Sequence, residues 1–260
     1  IPTRYPSGGE RQLIQILTGR EVPHGGLPAD LGMLCQNVGT VAAIHRAVYL
    51  DEPLISRITT VTGNAVARPG NYDVLIGTPV DHLLAQAGLD PARLHRLIMG
   101  GPMMGFTLPA TGVPVVKTTN CLLAADREEF PDPPPEQPCI RCGFCAEVCP
   151  AQLLPQQLLW FAKAQEFDKA ERYHLADCIE CGACAYVCPS SIPLVQYYRY
   201  AKGETRRLNE EKRHSDRARE RFESRKARLE KEQAEKESRR KARADAAAAQ
   251  QRDKTAEEGH

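Results

Sequence analysis

The chain has no apolar run of the roughly 18 to 20 residues that a membrane-spanning helix needs, so no part of it is expected to cross a bilayer. It also shows no basic-then-apolar leader, and export is not expected. Methionine is missing from its first position: Ile1 leads straight into ordered-looking material, as expected of an excerpt that lacks a preceding part. Charge of one sign is not in excess, the formal net charge being +1. The distribution says more than the sum. Residues 1–200 hold 15 Lys/Arg against 19 Asp/Glu, and residues 201–260 hold 19 against 14. The body is therefore mildly acidic and the tail basic and densely charged. From Lys202 onward the only aromatic is Phe222, and no apolar heptad is sustained. No coiled coil is expected on that pattern, and the tail reads as a solvated single helix or as disordered.

Between these extremes the sequence carries short periodic segments. Ser7 and Glu10 are spaced as a capping box, apolar Leu13, Ile14, Ile16 and Leu17 follow, and Gly19 sits where a helix ends. Val38 to Leu50 reads as a second helix. Ile55 to Val61 is rich in β-branched residues, and Gly63-Asn64 resembles a two-residue hairpin turn before Ala65-Val66. Pro69-Gly70-Asn71 reads as a turn leading to a strand from Tyr72 to Ile76. Thr78 and Pro79 suit the N-cap and first position of a helix ending at Gly88, and Leu97 to Met99 is a short strand. Strand, strand, helix, strand describes a small α+β unit. Pro131 to Pro138 is a proline-rich acidic linker, and Leu153 to Tyr173 is helical in pattern.

Eight of the ten cysteines fall in two runs. Cys139, Cys142, Cys145 and Cys149, followed by Pro150, recur 39 residues later as Cys178, Cys181, Cys184 and Cys188, followed by Pro189. Repetition of one spacing argues for metal-bound thiolates in a reducing compartment rather than disulfides. Zinc sites use four ligands, often as two CxxC pairs, not two such sets. The spacing is that of bacterial ferredoxins, in which three thiolates grip one 4Fe–4S cluster and the fourth reaches the other. Cluster one is then held by Cys139, Cys142, Cys145 and Cys188, and cluster two by Cys178, Cys181, Cys184 and Cys149. Two-residue gaps let the chain curl around a cluster, with Gly143, Gly182 and Ala183 allowing close backbone approach. Cys35 and Cys121 are expected to be buried small apolar side chains. His24 and His45 have no metal-ligand spacing to the cysteines and are assigned no role.

With these residues in view, the body resembles the C subunit of the Rnf (or Rsx) electron transport complex. The resemblance rests on Tyr5 to Leu13, Thr18 to Pro23, Gln36 to Thr40, Val61 to Gly63, Gly77 to Pro79 and Gly100 to Gly105, followed by the two cysteine motifs, and covers about residues 1–200. It implies an α+β architecture: the end of a flavin-binding α/β domain (1–52), a β-grasp module of the soluble-ligand-binding type (53–130), a helical two-cluster ferredoxin domain (131–200) and a charged tail (201–260). It places Tyr5, Gly8, Gly9, Glu10, Asn37 and Thr40 beside FMN, while the glycine-rich segment that cradles FMN and NADH in the family should precede Ile1. The implied role is electron transfer between NAD(H), through FMN in the full-length protein, and membrane subunits of an ion-translocating oxidoreductase, with no catalytic acid or base in this chain. Expected partners are the other subunits of the complex, NAD(H) and the membrane surface, with no nucleic acid. The expected location is the cytoplasmic side of the cell inner membrane, by peripheral association. A soluble flavin/iron–sulfur reductase of the cobalamin-reducing type shares the same order of parts, and an assembly scaffold with structural clusters is a third alternative.

Overall fold

The computed structural model describes residues 4–257, with side chains described through residue 243. Residues 1–3 and 258–260, the outer ends of the expected flavin-domain part and of the tail, lie outside the described residues. Two units are distinguished, Ile1–Gly203 and Glu204–His260.

The first unit opens with helix α1, Glu10–Thr18, which buries Gln12 and Ile14. Its N-cap is Gly9, in extended backbone and with no side-chain cap, so the expected Ser7–Glu10 capping box does not form. Ser7 is instead held in the preceding turn, its amide donating to the Arg4 carbonyl at 2.7 Å. Gly19 does end the helix, in the left-handed region at φ 70°. Helix α2, Val38–Tyr49, is capped by the Asn37 side chain, which accepts from the Gly39 amide at 2.9 Å. None of its residues is buried, and Val38 is 82% exposed.

A five-stranded sheet follows, built from β1 (Ser56–Thr62), β2 (Gly70–Leu75), β3 (Arg96–Met99), β4 (Phe106–Thr107) and β5 (Cys121–Ala125), in the order β2-β1-β5-β3-β4. β1 pairs antiparallel with β2 and parallel with β5, and β5 pairs antiparallel with β3. Helix α3, Val80–Gln86, packs Val80, Leu83 and Leu84 onto one face of this sheet with Val61, Leu97 and Leu122. A mixed sheet with one helix across it is a β-grasp arrangement. Each fully buried Val or Leu in that core contributes about 1.5–3 kcal/mol.

Three local expectations need correction here. Gly63-Asn64 is not a hairpin turn: β1 and β2 are joined by a longer connection, and Asn64 is tied to Glu129 and Asp126 across the sheet end. Strand β2 already begins at Gly70, inside the expected turn. Helix α3 begins at Val80 with Pro79 as N-cap, because Thr78 is taken up by backbone bonds to Leu75 and Val115.

The chain from 131 to 138 forms no regular element but is anchored: Glu136 pairs with Lys163 at 2.5 Å and accepts from Tyr197 at 3.0 Å. Beyond it lie α4 (Phe144–Glu147), α5 (Pro155–Lys163), α6 (Phe167–Arg172), a 3-10 turn at Leu175–Asp177, α7 (Ala183–Tyr186) and the start of α8 (Leu194–Glu257). The helical stretch expected over Leu153 to Tyr173 is broken between α5 and α6, where Gln165 takes φ 57°. Leu158, Leu159, Ala170, Tyr198 and Ala201 form the core of this part.

In the second unit the tail is helical, the first of the two alternatives open to it. Exposed pairs such as Arg207–Glu211 (2.7 Å) and Arg219–Glu223 (2.8 Å) line its surface. Each i,i+4 pair adds only about 0.3–0.5 kcal/mol. Phe222 is 68% exposed.

Candidate functional site

The cysteine repeat is a repeat of backbone conformation as well as of spacing. Arg141 and Glu180 both take positive φ (59° and 56°), as do Gly143 and Gly182 (86° and 83°) and Gln152 and Ser191 (51° and 50°). Each pair is separated by the 39-residue period. Positive-φ residues at these positions turn the chain sharply, and turns of this kind can present successive N–H groups to a negatively charged guest. Gly143 and Gly182 then start the short helices α4 and α7, which carry Cys145 and Cys184.

The eight cysteines gather into two groups. One cavity is lined by Cys139, Cys142 and Cys145 of the first motif together with Cys188 of the second. The other is lined by Cys178, Cys181 and Cys184 together with Cys149. Burial pushes the Cys184 thiol up to about 12, and the nearby Cys178, Cys181 and Cys149 push in the same direction. Burial also raises Cys145, Cys178 and Cys181. Thiols raised in this way ionise most readily beside a cationic centre. Sulfur-only donor sets of this kind suit an iron–sulfur cluster, and the residues present therefore fit one in each cavity.

The two cavities differ in their surroundings. Around the second, the Tyr5 hydroxyl donates to the Cys181 carbonyl at 2.5 Å, and Lys202 Nζ donates to the Cys178 carbonyl at 2.6 Å. Glu180, between them in sequence, is paired with Lys202 and with Arg199, each at 2.9 Å. Burial pulls its carboxyl up, but the two cations more than offset this and hold it below the ordinary range. Burial raises the Tyr5 hydroxyl, and Cys181 adds to the effect. Around the first cavity, Cys142 is exposed and Ile140 and Phe144 are 68% and 49% exposed. The Arg141 guanidinium lies 5.3 Å from the centre of the Trp160 ring.

The sequence-expected flavin positions are less gathered. Tyr5 reaches the second cysteine loop, Gly9 caps α1 with Glu10 as its first residue, and Gly8 precedes them. Asn37 and Thr40 lie at the start of α2. Among the described residues no hydrogen bond or ion pair joins the Tyr5–Glu10 stretch to Asn37–Thr40, and none of the six lines either cysteine cavity. Among the described residues these six do not come together into a flavin cradle. Cys35 and Cys121 are only partly buried, contrary to expectation; Cys121 opens β5, where its backbone pairs with Thr60.

Sequence reasoning missed Lys202, Arg199 and Glu180. Its signal was present, since Leu194, Val195, Tyr198 and Ala201 form a buried helical stripe that carries the ferredoxin fold past position 200.

Three known families match successive stretches of the chain. Residues 1–46 match the Nuo51 FMN-binding domain, residues 58–107 the SLBB domain, and residues 138–192 the 4Fe-4S dicluster domain. The class is thus an α+β iron–sulfur protein of electron transport, with flavin-type and SLBB parts and two 4Fe–4S clusters as its cofactors. Over 88% of its length the chain is 64% identical to the C subunit of the ion-translocating oxidoreductase complex of Pseudomonas aeruginosa. It is 62% identical over 93% of its length to the protein of that name from Edwardsiella ictaluri, and 60% over 90% to that from Cronobacter sakazakii. The chain spans 30% of the length of these curated relatives. The resemblance to the C subunit of such complexes holds over most of the chain. Those relatives are by name subunits of an oxidoreductase complex, and among the described residues no helix is long and apolar enough to cross a membrane.

Proposed function

We propose that this chain relays electrons between an NAD(H)-linked flavin and membrane subunits of an ion-translocating oxidoreductase. In this reading residues 1–52 end the flavin part, 53–130 form the β-grasp module, 131–200 hold the clusters and 201–260 are the tail. Cys139, Cys142, Cys145 and Cys188 hold one cluster, and Cys149, Cys178, Cys181 and Cys184 the other. The observation that carries it is the crossed grouping of the eight thiols, because exchanging the fourth ligand staples two clusters into one small core. When bound, the clusters supply reversible one-electron transfer, and the protein supplies ligation and tuning.

The chain's own residues act on the loops. Tyr5 and Lys202 fix the carbonyls of Cys181 and Cys178, and Glu180 neutralises part of the local positive charge. The contact through Tyr5, one of the flavin-part residues, supports a relay in which the Cys178 group faces the flavin side. Exposed Ile140, Cys142 and Phe144 give the Cys139 group an open rim suited to a redox partner. Peripheral association at the cytoplasmic side of the inner membrane fits the basic tail, since each basic residue near an anionic surface contributes about 1 kcal/mol.

Anaerobic reconstitution tests the reading. About eight irons and eight sulfides per chain, with an EPR signal of two spin-coupled reduced clusters after dithionite, are expected. Fewer than about four irons, or clusters that cannot be cycled between oxidised and reduced states, would overturn it.

A further inference from the structure

A second cluster of ligating side chains lies outside the cysteine cavities. His24, on the loop after α1, meets His174 and Asp177 at the turn that leads into Cys178. One ligating atom from each of the three lies within 4.8 Å of the others. His24 Nδ1 is 2.5 Å from Asp177 Oδ2, and the two imidazole rings meet edge-on with centroids 4.1 Å apart. Residues 150 and more apart in sequence are thus brought together.

The supports of this group are ordered. Arg11 Nη1 donates to the other Asp177 oxygen, Oδ1, at 2.7 Å, which leaves Oδ2 directed at His24. Arg11 Nη2 donates to the Gly26 carbonyl at 2.9 Å, and the Gly26 amide donates to the Pro23 carbonyl at 2.9 Å. One guanidinium therefore fixes both the carboxylate and the loop that carries His24. Outer residues that orient ligands in this way are typical of metal sites. His174 and Asp177 are set three residues apart by the 3-10 turn, in which the Asp177 amide donates to the His174 carbonyl at 2.9 Å.

We propose that His24, His174 and Asp177 bind a divalent transition-metal ion of the zinc class, separate from the iron–sulfur clusters. Two imidazoles and one carboxylate are a donor set for Zn²⁺ and its neighbours, not for Mg²⁺ or Ca²⁺, which take oxygen-only sets. Three protein ligands leave a fourth position for water. The ion ties the segment after α1 to the turn that opens the second cysteine motif. It thereby links the flavin-type part to the ferredoxin part through a bond that neither the SLBB part nor the tail supplies.

The experiment uses the whole chain with its clusters already loaded, so that the cysteines are occupied. Protein equilibrated anaerobically with Zn²⁺ and freed of excess is assayed for zinc, iron and sulfide. Wild type and His45→Ala should retain about one zinc per chain in addition to their iron. His24→Ala and His174→Ala should lose it, with affinity falling by more than the roughly 10–100-fold that loss of a supporting residue costs. Both side chains are exposed, so neither replacement opens a core cavity. As a second readout, zinc should raise the melting temperature of wild type but not of His24→Ala. Zinc absent from wild type, or retained equally by the two histidine variants, overturns the site. Iron and sulfide counts are read on the same samples, so failure here is distinct from failure of the cluster reading.

Discussion

Gly143 and Gly182 occupy the same place in the two repeats and take nearly the same φ, 86° and 83°. Their surroundings differ. A Cβ built on Gly143 meets nothing within 4 Å, whereas one on Gly182 falls 2.8 Å from the Met103 carbonyl oxygen, a backbone atom that cannot swing away. Alanine at either position bears the left-handed penalty of about 1–2 kcal/mol. At Gly182 the contact adds an overpacking cost of about 1–3 kcal/mol. For a unit of about 200 residues each kcal/mol lowers Tm by about 2–4 °C. Gly143→Ala should therefore melt a few degrees below wild type, and Gly182→Ala at least about 2 °C lower again. Melting of the cluster-loaded protein, followed by visible absorbance at one fixed scan rate, measures the difference directly. Equal losses in the two variants, or the larger loss at Gly143, would refute the packing of the Met103 loop on the second cysteine loop.

Three further outcomes are expected. Cys149→Ser, although in the first motif, should remove the cluster of the Cys178 group and halve the iron to about four per chain; EPR should match Cys181→Ser and not Cys142→Ser. Leu122→Ala, at a fully buried position in the central strand, should cost about 2–5 kcal/mol in urea unfolding, and a loss below about 1 kcal/mol would contradict the core described here. Glu180 has a carboxyl held below its ordinary range by Lys202 and Arg199 against the opposing effect of burial. Its contribution is therefore complete above the unfolded carboxylate value of about 4.3 and is lost as pH falls through the lower folded value. Glu180→Gln should flatten that part of the acid limb of urea-unfolding stability while leaving its slope near pH 7 unchanged.

The grouping of the cysteines was the most legible part of the chain, because spacing within each motif is local. Helix ends were legible too: Gly19 and Asn37 cap helices as their residue types suggest. What stayed hidden was non-local. Strand β5 reads as Cys-Leu-Leu-Ala-Ala, with no alternation, since Leu122, Leu123, Ala124 and Ala125 are all buried in the middle of the sheet. Ser7 and Thr78 had suitable cap chemistry, yet neighbouring backbone bonds engaged both before the helices began. Lys202 looked like the first residue of a solvated tail, and only the turn of α8 onto Cys178 gives it a partner. His24 meets His174 and Asp177, 150 and more residues away in sequence, so no spacing rule could have found Asp177 for it.

Two motifs with one spacing need not make two equivalent centres. Potentials of iron–sulfur clusters depend on hydrogen bonds near the sulfurs, net charge and solvent exposure. The Cys139 group has an exposed cysteine and an open apolar rim, while in the Cys178 group Cys181 and Cys184 are buried. The second loop is also bounded by Tyr5, Lys202 and the Met103 backbone. None of these three residues belongs to either motif. Burial alone would disfavour added negative charge at the second centre, and the Lys202 ammonium, partly offset by its pairing with Glu180, favours it, so the two influences oppose each other there. Lys202→Met removes the second influence and leaves the burial of Cys181 and Cys184 in place. The reduction midpoint of the Cys178-group centre should then move to more negative potential, with the other centre nearly unchanged, in an EPR-monitored titration. Movement of both midpoints by the same amount would mean that the lysine acts as general surface charge and not through the carbonyl it holds.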